Sequence, residues 1–330
     1  DDLYSTGMTV YTTINAGRQK AANAAVFDGV LNYDMRHGYR GSIETRIDLI
    51  DAPLEEQEKA LQDIDGLKDW QTALVISIQE TTADVRLANG KRATLSWDAV
   101  KWARPYLSED SQGPSPTTVA DVLVPGDIVR LRPDNNLEWL LAQKPEVQTA
   151  LISLNSKDGA IQALVGGFNF YENKFNRITQ SKRQPGSNFK PFIYASALDR
   201  GYTAASIIND APVVFNDTNL ASAWRPTNDG GKFYGPTRLR QALYRSQNIR
   251  LLDELGVRPT LDFLRRFGFD PNELPHNLSL SLGSANLSPL QIATGFAVFS
   301  NGGYQVQPYL INTVIDRNNQ TLFQANPITV

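Results

Sequence analysis

Arg183-Gln184-Pro185-Gly186-Ser187-Asn188-Phe189-Lys190-Pro191-Phe192 is the stretch around which the rest of the chain is read. Pro185 and Gly186 are turn formers that halt the preceding chain, and Phe189, Ile193, Tyr194 and Leu198 give residues 187–198 a helical rhythm. Ser187 is expected in the first turn of that helix. Lys190, three residues on, shares its face, so the two polar ends can meet. A base then stands beside a hydroxyl at a helix N-terminus, whose partial positive charge favours an alkoxide-like oxygen and the oxyanion that follows its attack. To take a proton at neutral pH the lysine has to titrate at about 7–8 instead of ~10.4, a difference of roughly 4 kcal/mol. Burial or a neighbouring cation is therefore required. The commoner meaning of Ser-x-x-Lys is a serine N-cap followed by a solvated lysine; no other serine in this chain has lysine three residues on.

Composition removes the rival nucleophiles. The chain has no cysteine, so thiol catalysis, thiolate metal sites and disulfides are excluded. His37, in Arg36-His37-Gly38-Tyr39, and His276, after Pro275, both sit in turn or loop sequence and are read as surface residues, which leaves a Ser-His-Asp triad little to draw on. At 330 residues, 41% hydrophobic and 20% charged, the chain can bury two or more cores. Its 32 basic and 35 acidic residues give a net charge of −3, which provides no electrostatic footprint for nucleic acid or an anionic membrane. No apolar run reaches the ~20 residues that cross a bilayer, and Asp1-Asp2-Leu3 is not the start of a signal peptide.

Upstream of the serine, residues 9–14 read as a strand, and Asn15 caps an alanine-rich helix expected to run to about Leu31. Pro53 opens an acidic helix through Ile64 whose charges face solvent. Residues 1–69 are taken together as a linker and entry segment. Residues 70–147 change texture. Short β runs at 72–79, 85–87, 92–96, 128–131 and 138–142, with Asn89-Gly90 as a hairpin turn, suit a small barrel of the oligonucleotide/oligosaccharide-binding (OB) kind, with Trp97, Trp102 and Trp139 in its core. Residues 148–330 form the third segment. It opens on a hairpin, 150–154 and 160–165, so continuously apolar that helices are expected on both faces. Helices follow the serine near 239–244, 249–255 and 260–267, and a last one, opened by Ser288-Pro289, runs to Phe299. The fold class is α/β (α+β), an antiparallel sheet covered by helices plus a small all-β barrel.

Arg183 to Pro191 resembles the Ser-x-x-Lys box of the penicillin-binding proteins. The hairpin at 150–167, Lys174-Phe175-Asn176-Arg177, Lys232-Phe233-Tyr234-Gly235-Pro236-Thr237 and residues 278–303 are similar to the transpeptidase domain of the class A members, and the inserted barrel with Arg36-His37-Gly38-Tyr39-Arg40-Gly41 resembles the 1A type. The resemblance covers nearly the whole chain. The family's second box, Ser-x-Asn, occurs three times, at Ser153-Leu154-Asn155, Ser246-Gln247-Asn248 and Ser284-Ala285-Asn286. The first closes a strand and the third precedes a helix start, both ordinary places for these residues. Ser246 follows a helix holding Leu239, Ala242 and Leu243, as in the family. The resemblance implies that Ser246 relays a proton between Lys190 and the leaving group, and that Asn248 hydrogen-bonds the substrate's amide.

The third box, Lys-Thr/Ser-Gly, is absent. Lys157-Asp158-Gly159 is nearest but is a hairpin turn before the serine, whereas the family's box follows the second one. Either the protein continues past Val330 or the site is defective. Asn248 also runs directly into Ile249-Arg250-Leu251-Leu252, where the family has a few more residues. The resemblance implies a glycosyltransferase domain and a membrane anchor upstream of Asp1, so the sequence reads as a fragment from the periplasmic face of a bacterial inner membrane. The implied activity is a serine DD-transpeptidase that cross-links peptidoglycan stem peptides, a D-Ala-D-Ala donor and an amine acceptor, with β-lactams acylating the same serine. An outer-membrane or periplasmic activator is an implied partner of the barrel. No metal or organic cofactor and no nucleic acid are implied. The alternatives are a DD-carboxypeptidase or β-lactamase-type hydrolase, or a non-catalytic cell-wall scaffolding protein.

Overall fold

In the computed structural model, residues 7–64, 67, 69–134, 138–212, 231–247 and 249–330 are described. The chain begins with β1 (Thr9–Thr12) and α1 (Ala16–His37). Asn15 caps this helix as expected, its Oδ1 accepting the Arg18 N–H at 3.0 Å. The helix runs six residues past the expected Leu31. Arg36 and His37 complement its C-terminal dipole, and it stops at Gly38, whose φ of +111° and approach to the Tyr106 backbone leave no room for a Cβ.

The chain divides into two units, Asp1–Val26 with Thr149–Val330, and Phe27–Gln148. The second holds β2 (Glu44–Thr45), α2 (Leu54–Gln62), β3 (Gln71–Ile78), β4 (Thr82–Leu87), β5 (Arg92–Ser96), α3 (Trp97–Val100), β6 (Tyr106–Ser108), β7 (Ser111–Gln112), β8 (Asp127–Pro133) and β9 (Trp139–Ala142). Its main sheet is antiparallel, in the order β2-β8-β3-β4-β5, with β9 also paired to β8. The Asn89-Gly90 turn joins β4 to β5 with Gly90 at φ +77°.

Strand alternation explains why residues 27–69 pack into this unit instead of forming a separate linker. Ala73 and Val75 of β3, with Val129 and Leu131 of β8, face one core. Leu74, between the first two, and Ile128, next to Val129, face the opposite side and need their own cover. Leu49, from a 3₁₀ turn, and Leu61, from α2, supply it, each 1% exposed. Gln57 of α2 is buried there too, its Nε2 donating to the Leu49 carbonyl at 2.8 Å. Thus α2 is amphipathic and only its outer face is solvated. Trp97, Trp102 and Trp139 pack against the larger core, Trp102 also donating its indole N–H to the Leu141 carbonyl. The Arg36–Gly41 stretch is pinned through Arg40, which donates to both carboxylate oxygens of buried Asp34, and through Gln143, which donates to Asp34 and the Gly38 carbonyl.

The first unit continues with β10 (Leu151–Leu154) and β11 (Ile161–Val165), an antiparallel hairpin. Its strands are half-buried, with Ile161 and Ala163 the buried positions within them. The Gln19 side chain of α1 meets β11 by pairing with both the N–H and the C=O of Leu164. Then come α4 (Lys190–Asp199), β12 (Ile207–Asp210), β13 (Gly235–Arg238), α5 (Leu239–Tyr244), α6 (Ile249–Leu255), α7 (Val257–Leu264), α8 (Pro289–Ser300), β14 (Ile311–Ile315) and β15 (Thr321–Gln324). Strand β14 pairs with both β1 and β15. Helix α8 starts with a capping box between Ser288 and Gln291.

Helix α4 runs through the middle of this unit's core. Phe192 makes ring contacts with Phe189, Phe267, Phe269, Phe296 and Phe299 at centroid distances of 4.9–5.4 Å. Leu239 and Ala242 of α5, Leu251 and Leu252 of α6, and Leu261 and Leu264 of α7 complete the surround. Burying one whole side of α4 fixes the direction in which Ser187 and Lys190 face.

Candidate active site

Ser187 lies on a 3₁₀ turn, Gly186–Phe189, that leads directly into α4, not in an α-helical first turn as the spacing suggested. The cause is Pro191. An α-helical bond to the Ser187 carbonyl would have to come from residue 191, which has no N–H; the Lys190 N–H takes that carbonyl instead, three residues back. Residues three apart eclipse in a 3₁₀ turn, so Ser187 and Lys190 remain on one side.

Two glycines hold this turn. Gly186 sits at φ +56°, and its N–H donates to the Gly283 carbonyl at 3.2 Å. Gly283, at φ +67°, is so close that a Cβ there would lie 2.1 Å from the Gly186 oxygen. Residues 278–287 entered the sequence reading only through the resemblance; the Leu282-Gly283-Ser284 break in an apolar run was the local signal that a backbone approaches there.

Three of the four candidate residues come together. Lys190 is buried, 7% exposed, and donates from Nζ to the Ser246 hydroxyl at 2.7 Å and to the Ser246 carbonyl. The Ser246 hydroxyl in turn lies 3.1 Å from Ser187 Oγ, to which it donates. Ser187 itself is exposed. The line of bonds therefore runs from a buried amine, through a second hydroxyl, to a hydroxyl open to solvent. The fourth candidate, Asn248, lies outside the described residues, as do residues 213–230, which precede the second box.

The backbone at Ser246 is unusual. Helix α5 ends at Tyr244, and the Ser246 N–H donates to the Leu243 carbonyl while the Gln247 N–H donates to Ala242. This is a Schellman ending with Ser246 in the left-handed position, φ +62°, where glycine is usual. Holding a serine there costs on the order of 1–2 kcal/mol. No feature of the sequence announced this conformation. The Gln247 carbonyl accepts a hydrogen bond from the Tyr194 hydroxyl, one helical turn past Lys190 on α4.

The other two Ser-x-Asn matches are structural. Ser153 lies in β10 opposite Ala163, and Ser284 shares a hydrogen bond of 2.7 Å with Ser279. Lys157-Asp158-Gly159 is the β10–β11 turn, closed by Asp158 Oδ1 accepting the Ala160 N–H. His37 stacks on Tyr33 at the end of α1, and His276 bonds the Pro271 carbonyl. Among the described residues no group of three or more His, Asp or Glu side chains could hold a metal ion.

A helix-and-sheet unit that brings the Ser187-x-x-Lys190 box to the Ser246 hydroxyl has the arrangement expected of the penicillin-binding proteins. Residues 149–330 match the penicillin-binding protein transpeptidase domain, and residues 39–147 match the penicillin-binding protein OB-like domain. The chain belongs to the penicillin-binding protein transpeptidase family. Penicillin-binding protein 1A of Pseudomonas aeruginosa is 46% identical to it over 99% of this chain and 40% of that protein. Penicillin-binding protein 1A of Escherichia coli is 42% identical, over 99% and 39%. The crystal structure of penicillin-binding protein 1A from Haemophilus influenzae superposes with a TM-score of 0.83 at 37% identity, covering 99% of this chain and 47% of that one. The chain thus spans about two fifths of the curated relatives it matches.

Proposed function

We propose that the chain belongs to a serine DD-transpeptidase that cross-links peptidoglycan, working through an acyl-enzyme at Ser187 and taking β-lactams on the same oxygen. The observation that carries this reading is the line of hydrogen bonds from buried Lys190 through Ser246 to exposed Ser187. As it stands the line points toward Ser187. Both hydroxyls rotate freely, so for attack it reverses: Ser187 donates to Ser246, and Ser246 donates to a neutral Lys190 amine. Ser187 Oγ then bonds to the carbonyl carbon of the penultimate D-alanine of a stem peptide. The developing oxyanion faces the Ser187 N–H, one of the amides that open the turn without an intrahelical acceptor. Collapse breaks the peptide bond, and the departing D-alanine nitrogen takes the proton back from Lys190 through Ser246. The amine of a second stem peptide attacks the ester, releases Ser187 and completes the cross-link. Asn248, on the family pattern, hydrogen-bonds the substrate's amide.

Incubation with a labelled penicillin is expected to add one penicilloyl group on Ser187, located by mass spectrometry, and Ser187→Ala is expected to abolish it. Labelling that survives that substitution rejects the site. Release of free D-alanine from a stem peptide with no cross-linked product selects the hydrolase reading instead.

Peptidoglycan lies outside the inner membrane, and the chain is placed there, on the periplasmic side. Among the described residues no helix is long and apolar enough to cross a membrane. For the barrel unit the proposed role is to dock an activator protein, with exposed Tyr106 and Leu107 of β6 as its apolar contacts. Photo-cross-linking from position 107 in cells is expected to trap one defined protein; no adduct at any position on β6 and β7 removes this role.

A further inference from the structure

We propose that Tyr194 is a positioning residue for the acylation step, holding Ser246 in register with Ser187 by clamping the turn that follows α5. This rests on the reading of Ser187, Lys190 and Ser246 given above. Tyr194 does not touch the reacting atoms. It acts through Ser246.

The observations are geometric. Lys190 and Tyr194 stand four residues apart on α4, so they share a face, and both reach the same turn. Lys190 bonds the Ser246 carbonyl, and Tyr194 bonds the next carbonyl, that of Gln247. The two N–H groups of the turn are already taken by Leu243 and Ala242. Between them these four bonds hold all three peptide units that set φ and ψ of Ser246 and Gln247: one at the Ser246 N–H, one at the Ser246 carbonyl and Gln247 N–H, and one at the Gln247 carbonyl that Tyr194 holds. A left-handed serine persists only when its surroundings hold it there. Helix α5 supplies half of that hold and α4 the other half.

The place of the hydroxyl argues for a role beyond packing. Tyr194 is 3% exposed, in an apolar cluster with Leu239, Ala242 and Leu251, where phenylalanine would fill the same volume with no polar atom to satisfy. The Gln247 residue it holds is 2% exposed. Burial, with the Asp210 carboxylate adding to it, pushes the phenol above its ordinary range, so it remains a donor at every working pH.

Tyr194→Phe removes the bond and keeps the ring. In the protein carrying this chain, the acylation rate at saturating β-lactam is expected to fall about tenfold to a hundredfold, with the half-saturating concentration unchanged. In a Ser246→Ala background the same substitution is expected to have no further effect, because the residue it positions has lost its hydroxyl. An unchanged rate in Tyr194→Phe overturns the proposal, and so does an equal loss in both backgrounds. Ser187→Ala, run alongside, separates the two claims. If it still labels, the assignment of Ser187 fails; if it does not label while Tyr194→Phe acylates at full rate, only the positioning role fails. A crystal structure of Tyr194→Phe decides the matter without activity. Separation of the Ser246 and Ser187 hydroxyls beyond hydrogen-bond distance is expected, and an undisturbed turn refutes the clamp.

Discussion

Ser246 occupies a backbone conformation that ordinarily belongs to glycine, and that strain can be separated from its chemistry. Ser246→Gly and Ser246→Ala both delete the hydroxyl that joins Lys190 to Ser187, so both are expected to lose at least tenfold in penicillin acylation. They differ in backbone. Glycine accepts φ +62° freely, whereas alanine bears the left-handed penalty, so Ser246→Gly is expected to be the more stable of the two by about 1 kcal/mol. Thermal melts of the pair measure this directly, and the reverse order would show that the turn relaxes when the hydroxyl is lost. At this scale the sequence was half legible. Ser187 and Lys190 could be read from spacing, since three residues on a helical segment share a face. The Ser246 contact spans 59 residues, and no periodicity reports on it; only the resemblance chose among three Ser-x-Asn matches.

Elements were legible where their causes are local. The Asn15 cap, the Asn89-Gly90 hairpin and the Ser288-Pro289 start of α8 depend on neighbours in sequence, and all three stand where expected. The 3₁₀ turn at Ser187 was also encoded locally, by the missing N–H of Pro191, but helical rhythm alone does not distinguish it from an α-turn. What clamps that turn is remote: the Gly283 backbone, from the 3₁₀ segment Leu278–Leu282 and its cap. Gly283→Ala would put a Cβ 2.1 Å from the Gly186 oxygen, against backbone that has no rotamer to give. It also places alanine at φ +67°. The turn must move, and a displacement near 1 Å at a reacting group can cost about a hundredfold in rate. The variant is expected to lose ~1–2 kcal/mol of stability from the left-handed alanine and to acylate about a hundredfold more slowly. Wild-type acylation kinetics in a folded Gly283→Ala protein would show that Gly283 does not hold Ser187 in place.

At the scale of the whole chain, the boundaries were the hardest feature to read because they depend on which residues cover a sheet from far away in sequence. The alternation of Ala73, Leu74 and Val75 demanded cover on two sides, yet nothing in residues 27–69 marked Leu49 and Leu61 as that cover. Residues 1–69 therefore read as one linker and entry segment, although 27–69 fall in the barrel unit. The two units have separate cores. That around Phe192 is built from α4 to α8 and their turns, and those around Leu131 and Leu74 from the barrel sheet and the elements on it. If the acylating geometry depends only on the first, damage to the second should leave it intact. Leu131→Ala, at a fully buried site on β8, is expected to cost about 2–5 kcal/mol and to lower the unfolding transition of the barrel unit. Calorimetry should then resolve two transitions, with the transpeptidase unit's unchanged. At 25 °C, where both variant and parent remain folded, penicillin acylation of Ser187 is expected at the parent's rate. A slowed acylation in the folded variant would mean that barrel packing reaches the serine, and the units could no longer be treated as independent supports of the site.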